Sequence, residues 1–149
     1  MVTVVFYEKP GCINNAKQKA LLWAAGHQVE SRHLLREVWT PETLRPFLPD
    51  RPVAEWFNKT APQVKSGEVQ PDQLDAVTAI ALLVQHPILI RRPLMRVGDR
   101  CEMGFDQQLV DRWIGLRPVP IGAASIHDRL MTQDLETCPR LSNHVTAAL

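Results

Sequence analysis

The opening dozen residues constrain this chain more than any other stretch. Val2 to Tyr7 (VTVVFY) is a nearly unbroken run of β-branched and aromatic residues. Such a run reads as a strand buried on both faces, as in the middle of an α/β sheet. It stops at Glu8-Lys9-Pro10-Gly11, where Pro and Gly in succession mark a turn. From Asn14 onward come Ala16, Lys17, Ala20, Leu21, Leu22, Ala24 and Ala25, all good helix formers, with Gly26 at the helix end. Ala16, Ala20 and Trp23/Ala24 fall along one face. His27 to Leu34 returns to strand composition and is expected to run parallel to the first strand through a right-handed crossover. The chain therefore opens as a βαβ unit whose first turn presents Cys12 at the start of a helix.

The middle has a different character. Pro41, Pro46, Pro49, Pro52 and Pro62 interrupt residues 40–66, which predicts short helices between proline breaks. Thr40-Pro41-Glu42-Thr43 offers an N-cap with Pro at the first helical position, and Pro71-Asp72 opens a helix running to about Val84. Leu74, Val77, Ala81 and Val84 form its apolar face. His86 to Ile90 reads as a strand, and Leu94–Val97, Gly98-Asp99 and Arg100–Met103 read as a hairpin. Phe105 to Trp113 reads as a closing helix. From Gly115 clear periodicity is lost. The expected organisation is one domain over residues 1–114, with a helical insertion at about 40–84, and a loosely structured C-terminal extension over 115–149.

A chain of 149 residues buries enough surface to fold without disulfide or metal staples. With 17 Lys+Arg against 16 Asp+Glu there is no basic field to drive nucleic-acid binding, so no nucleic-acid partner is expected. No stretch approaches the ~20 apolar residues of a membrane span, and the N-terminal apolar run is too short for a signal-peptide core. The expectation is a cytoplasmic protein with no membrane partner. Cys12, Cys101 and Cys138 are an odd number and lie far apart, which fits neither a secreted disulfide framework nor a CxxC-type zinc site. His27, His33 and His86 lack metal-ligand spacing, so no metal and no bound cofactor are expected. Trp23, Trp39, Trp56 and Trp113 read as packing residues.

The chemistry concentrates at Gly11-Cys12. The first backbone N–H groups of a helix lack intrahelical partners, and the helix dipole favours negative charge there. A thiol at that place is favoured as thiolate, with Lys9 or Lys17 as a nearby cation, and the same amides can hold an oxyanion. The alternative for Cys12 is a buried, inert thiol. Arg91-Arg92-Pro93 supplies the second element. A proline after a strand-like run can take the cis form and set the preceding residue beside another loop, and arginine suits a bidentate oxyanion contact. Cys101 falls in a predicted hairpin strand and reads as structural. Cys138, in the extension, is a candidate resolving thiol for Cys12, the alternative being an external thiol.

These residues resemble a known family. The order strand, Pro10-Gly11-Cys12 turn, helix, helical insertion, then Pro87-Ile88-Leu89-Ile90-Arg91-Arg92-Pro93, Val97-Gly98 and Gly104-Phe105 is similar to the glutaredoxin-linked arsenate reductases (ArsC) and the related Spx-type regulators, over about residues 2–113. The run from Gly11 to Leu22 (GCINNAKQKALL) most resembles the nitrogenase-associated branch. The resemblance implies an α/β fold of thioredoxin-like (glutaredoxin-like) type, a mixed sheet with a helical insertion, here followed by an irregular extension. It implies Cys12 as catalytic nucleophile, Arg92 before a cis Pro93 as anion ligand, Asn14 and Asn15 in the anion cradle after Gly11, and glutathione as co-substrate with glutaredoxin as reductant and partner. A nitrogen-fixation protein is the partner implied by the closer branch. The chain also departs from the pattern. Ala54 and Met103 stand where further arginines belong, which argues against arsenate reduction itself, with Arg51 and Arg100 the nearest substitutes. Asn15 stands where the second cysteine of an Spx-type CxxC belongs, which excludes a disulfide within this motif. Two functions follow: a glutaredoxin-dependent oxidoreductase acting through Cys12, or a noncatalytic binding module linked to nitrogen fixation.

Overall fold

The computed structural model describes residues 1–48 and 50–118. The opening run forms strand β1, Thr3–Glu8, followed by helix α1, Ile13–Ala24, and strand β2, Gln28–His33. β2 lies parallel to β1, with Thr3 opposite Gln28 and Glu8 opposite His33. The predicted hairpin is present as β3, Leu94–Val97, and β4, Arg100–Met103, turning at Gly98, whose φ of +58° explains the glycine. β3 runs antiparallel to β1, so the four strands form a mixed sheet in the order β2-β1-β3-β4. This is the thioredoxin-like α/β arrangement expected, with β1 inside the sheet.

The interior position of β1 explains its composition, because alternate side chains feed two different cores. Val4 and Phe6 join Leu21 and Leu22 of α1, Met95 of β3, and Phe105 and Val110. Tyr7 joins the other cluster, with Leu34, Trp39, Leu44, Phe47 and Trp56 of the insertion side. Phe6 is fully buried, which contributes roughly 2–3 kcal/mol of transfer free energy. Tyr7, Trp39 and Phe47 stack edge-on or tilted with centroids 5.1, 5.7 and 5.9 Å apart, and the Trp39 indole N–H donates to the Leu34 carbonyl at 3.0 Å. The insertion is built from short pieces, as its prolines require: α2 (Pro41–Leu44), α3 (Pro62–Lys65) and α4 (Ala76–Gln85), with 3₁₀ turns at Arg45–Phe47, Val53–Trp56 and Pro71–Gln73. At α2 Thr40 and Thr43 cap each other's backbone reciprocally.

Several local expectations are corrected. The helix predicted from Pro71 is two elements. Leu74 is extended at φ −99° and ψ 141°, and α4 starts afresh where Asp75 accepts the Thr78 N–H at 2.7 Å. The apolar face is rotated accordingly, so Ala79 and Leu83 are buried while Val77 is 80% exposed. His86 to Ile90 is not a strand. Pro87 lacks an N–H to pair, and Pro87–Leu89 forms a 3₁₀ turn closed by Leu89 N–H to His86 and Ile90 N–H to Pro87. Only an isolated bridge between Phe57 and Ile90 remains of sheet pairing there. The closing helix, α5, is Gln107–Ile114, because Asp106 caps it by accepting the Leu109 N–H at 3.1 Å. Trp23, expected to pack inside, is half exposed with Lys19 over its ring.

The C-terminal side of α5 is tied back to the start of the chain. His27 Nδ1 accepts the Val2 N–H at 3.2 Å, which leaves Nε2 as the donor to the Gly115 carbonyl at 2.8 Å. Leu116 is fully buried and its N–H donates to Asp111 at 2.8 Å, so the core reaches two residues beyond α5. Most of the predicted extension, from residue 119 on, lies outside the described residues.

Candidate functional site at the Cys12 turn

The turn from β1 to α1 is held from beneath. Gly11 takes φ +86°, the Cys12 N–H donates to the Lys9 carbonyl at 3.1 Å, and Cys12 itself is the N-cap of α1, at φ −74° and ψ 119°. Its side chain makes no capping hydrogen bond, and its carbonyl accepts the Ala16 N–H at 3.1 Å. Of the α1 face marked by Ala16, Ala20 and Trp23/Ala24, Ala24 is buried and Trp23 is half exposed. Ala16 is exposed, whereas Asn14, Asn15 and Gln18 are buried. The reason is polar satisfaction: Asn15 Oδ1 accepts the Lys9 N–H at 3.2 Å, and Asn15 Nδ2 donates to Gln18 Oε1 at 2.9 Å. Both functional groups of Asn15 are thus engaged inside the turn they brace. Gln18 was missed as a site-supporting residue, and the signal available was its spacing of three from Asn15 on one helix face.

Arg92 arrives from the opposite direction. Tyr7 pairs with Leu94, Phe6 with Met95 and Val5 with Arg96. Continuing that antiparallel register beyond the paired residues sets Pro93 across from Glu8 and Arg92 across from Lys9, at the mouth of the Cys12 turn. The Arg92–Pro93 peptide is cis, as expected, and the Pro93 carbonyl accepts the Gly104 N–H at 2.8 Å. That tie gives Gly104 a supporting role the sequence reading missed. The charge of Arg92 is felt at Lys9, whose pKa is lowered first by burial and then by repulsion from Arg92. Arg92 is only 7% exposed, and burial lowers its pKa as well. Its Nε and Nη1 are buried with no hydrogen-bond partner among the described residues. A buried guanidinium with two unmet donors is costly, and an anion is the group that completes it.

Other candidate groups sit elsewhere. Arg51 pairs with Glu55 at 3.7 Å, and Arg100 pairs with Glu102 at 3.3 Å and lies over Trp113, so neither guanidinium stands in for an arginine beside Arg92. Cys101 is a free cysteine on β4, its thiol pKa pushed up chiefly by burial. Cys12, by contrast, is engaged in a disulfide bond. Cys138 lies outside the described residues. Among the described residues no group of three or more His, Cys, Asp or Glu side chains gathers in a metal-holding arrangement, and no helix is long and apolar enough to cross a membrane.

The comparisons with known proteins agree with this geometry. The model of the ArsC family matches residues 7–112, which spans the turn, the insertion and the cis-proline loop. The chain belongs to the ArsC family. Among curated relatives, an uncharacterized 15.7 kDa protein from the draG 3' region of Rhodospirillum rubrum is 50% identical over 97% of this chain and 94% of its own length. More distant relatives include the global transcriptional regulator Spx 2 of Bacillus cereus, 22% identical over 74% of this chain and 86% of its own. Among solved structures, an arsenate reductase from Vibrio cholerae matches 78% of this ArsC-family chain and 98% of its own at a TM-score of 0.61 and 20% identity. An ArsC-family related protein from Bacteroides fragilis gives 0.66 and 23% over 74% of this chain and 97% of its own. At these identities the structural matches establish the shared fold.

Proposed function

We propose that this ArsC-family protein carries out thiol-dependent redox chemistry through Cys12, with glutathione as co-substrate and glutaredoxin as reductant. The observation that carries the reading is Arg92, a buried guanidinium with two unmet donors set by the strand register beside the Cys12 turn. In this reading the reduced Cys12 thiolate is the nucleophile. Arg92, together with Lys9 and the backbone amides at the α1 N-terminus, holds the anionic end of the reaction partner, an oxyanion or a glutathione carboxylate. Gly11 shapes the turn, Pro93 fixes the Arg92 backbone, and Asn14 and Asn15 hold the cradle together. Exchange with glutathione disulfide forms a Cys12–glutathione disulfide and releases one glutathione thiolate. A glutaredoxin thiolate then attacks the glutathione sulfur and returns Cys12 as thiolate. Ala54 and Met103 leave the cradle with a single central arginine, so arsenate itself is a poor substrate for it.

The test is the rate at which the fully reduced protein takes up glutathione on Cys12 from glutathione disulfide, followed by mass spectrometry. The Arg92→Met variant is expected to slow it at least tenfold. A Cys12 that stays unmodified, or an unchanged rate in the variant, would refute the reading.

The relative from the draG 3' region favours a second reading, a binding module in a nitrogen-fixation setting. Under that reading Cys12→Ser leaves affinity for the partner unchanged, and a loss of binding in that variant would count against it.

A further inference from the structure

The sheet ends differently on its two sides. At one end β4 is packed by the 3₁₀ turn Arg45–Phe47. At the other end lies β2, and among the described residues no strand pairs with its outer side. Gln28, Glu30, Ser31 and Arg32 are exposed there. The Gln28 N–H donates to the Val2 carbonyl at 2.9 Å and the Leu34 N–H to the Glu8 carbonyl at 2.8 Å, which in a parallel ladder commits the backbone of Gln28, Glu30 and Arg32 to β1. The backbone groups of Val29, Ser31 and His33 therefore point outward, except that the His33 carbonyl turns back to accept the Arg36 N–H at 3.2 Å. Such an edge is a template for another strand. Charge of a single sign would guard it, but Glu30 and Arg32 are of opposite sign, paired at 2.6 Å.

Helix α1 carries an uncovered stripe beside the same edge. Ala16 is exposed and Trp23 half exposed, at helical spacing on either side of Lys19. Lys19 Nζ donates to Ser31 Oγ at 3.3 Å and stands 5.8 Å from the centre of the Trp23 ring, so the stripe borders β2 at Ser31. The Lys19 charge is met within the chain by Glu8 at 2.7 Å.

We propose that two copies of this chain join β2 to β2, antiparallel about a two-fold axis through Ser31, into one continuous sheet. The charge pattern selects both the partner and the register. With the axis at Ser31, Glu30 of each copy faces Arg32 of the other, whereas an axis at Glu30 or at Arg32 sets like charges against each other. Backbone parity agrees. The two Ser31 residues exchange both of their hydrogen bonds, and each His33 N–H meets the Val29 carbonyl of the other copy. An axis between residues would instead aim these outward groups at groups already bonded to β1. The helices fit the same arrangement. α1 covers Val4 and Phe6 of β1 and Val29 of β2, so at the usual strand spacing the two α1 helices stand about 10 Å apart, an ordinary helix packing distance. Because Lys19 stands over Ser31, on the axis, Trp23 of each copy falls beside Ala16 of the other, a large side chain against a small one.

The experiment is sedimentation equilibrium of the full-length chain with reductant present, so that no disulfide joins the copies. The weight-average mass is expected to rise with concentration from 16.9 kDa toward twice that value. Glu30→Arg and Arg32→Glu each set like charges across the axis and should weaken association at least tenfold, as should Trp23→Ala. An equimolar mixture of Glu30→Arg and Arg32→Glu should associate again, because every pair across the axis is then of opposite sign. Both positions are exposed, and the rescue requires both variants to be folded. A wild type that stays at 16.9 kDa up to millimolar concentration would overturn the dimer, whether its Ser31 amide then exchanges freely or is protected within the monomer. So would a dimer that both charge variants leave equally tight, or variants that fail to associate when mixed. None of these outcomes bears on the chemistry of Cys12, which is tested separately.

Discussion

Arg92 offers a sharp test, because its two contributions have opposite signs. Arg92 is 7% exposed, and two of its donors, Nε and Nη1, have no acceptor among the described residues. Each unmet buried donor costs about 1–3 kcal/mol. Arg92→Met keeps the aliphatic stem and removes both donors together with the buried charge, so the variant should be more stable than the wild type by about 1–3 kcal/mol, in line with other replacements of buried charges by apolar groups of similar size. At roughly 4 °C per kcal/mol for a chain of this length, Tm should rise by about 4–12 °C. An anion should narrow that gap. If inorganic phosphate binds the reduced wild-type site with a Kd of about 1 mM, 10 mM phosphate stabilises it by RT ln 11, about 1.4 kcal/mol, and should leave Arg92→Met unmoved. The assay is urea unfolding with reductant present, with and without phosphate, at constant ionic strength so that general salt effects cancel between the two proteins. A variant less stable than wild type by more than about 1 kcal/mol would show that Arg92 supports the fold through contacts that outweigh its unmet donors. Equal stabilisation of both proteins by phosphate would show that the guanidinium is not the anion ligand.

Asn15→Ala removes the acceptor of the Lys9 N–H and the partner of Gln18 in one step, leaving both buried groups unpaired. It should cost about 2–4 kcal/mol in urea unfolding and loosen the Cys12 turn, which would show as faster amide exchange at Lys9 and Cys12. No change in Lys9 exchange would contradict the bracing role. For Cys101, burial raises the thiol pKa above the ordinary value of 9.0, so the native, reduced protein should alkylate there slowly at pH 8 and faster as the pH climbs past that value. Because the folded pKa is the higher one, the neutral thiol is the form the fold favours, and this group's stabilisation is present below the unfolded pKa and lost as the pH rises through the folded one. Rapid alkylation of native Cys101 at pH 8 would contradict its burial.

The sequence by itself determined the order of the sheet-forming pieces. An unbroken apolar run at Val4–Tyr7 requires neighbours on both sides, and Pro10-Gly11 followed by helix formers requires a turn and a crossover, so β1, α1 and β2 were legible from residues 2–34. Gly98 between two short apolar stretches marked the β3–β4 hairpin, and Arg92-Pro93 marked the cis peptide. Those signals are local: a glycine's φ, a proline's missing donor, and a period of two or 3.6. What tertiary structure decided was which face turns inward. On the α1 face marked by Ala16, Ala20 and Trp23/Ala24, Ala24 is buried, whereas Ala16 is exposed and Trp23 half exposed. The folded chain also buries Asn14, Asn15 and Gln18, and the Asn15 amide pairs with Gln18 and with the Lys9 backbone, a saving no single-residue scale records. Likewise Pro87-Ile88-Leu89-Ile90 has strand composition but no strand to pair with, and it coils where the sheet does not reach it. Whether Arg92 is a solvated cation or an unpaired one at the Cys12 turn depends on the β1–β3 register, which brings together residues some 80 positions apart. The Cys12 turn was legible as a place, whereas the buried Arg92 beside it emerges only from contacts distant in sequence.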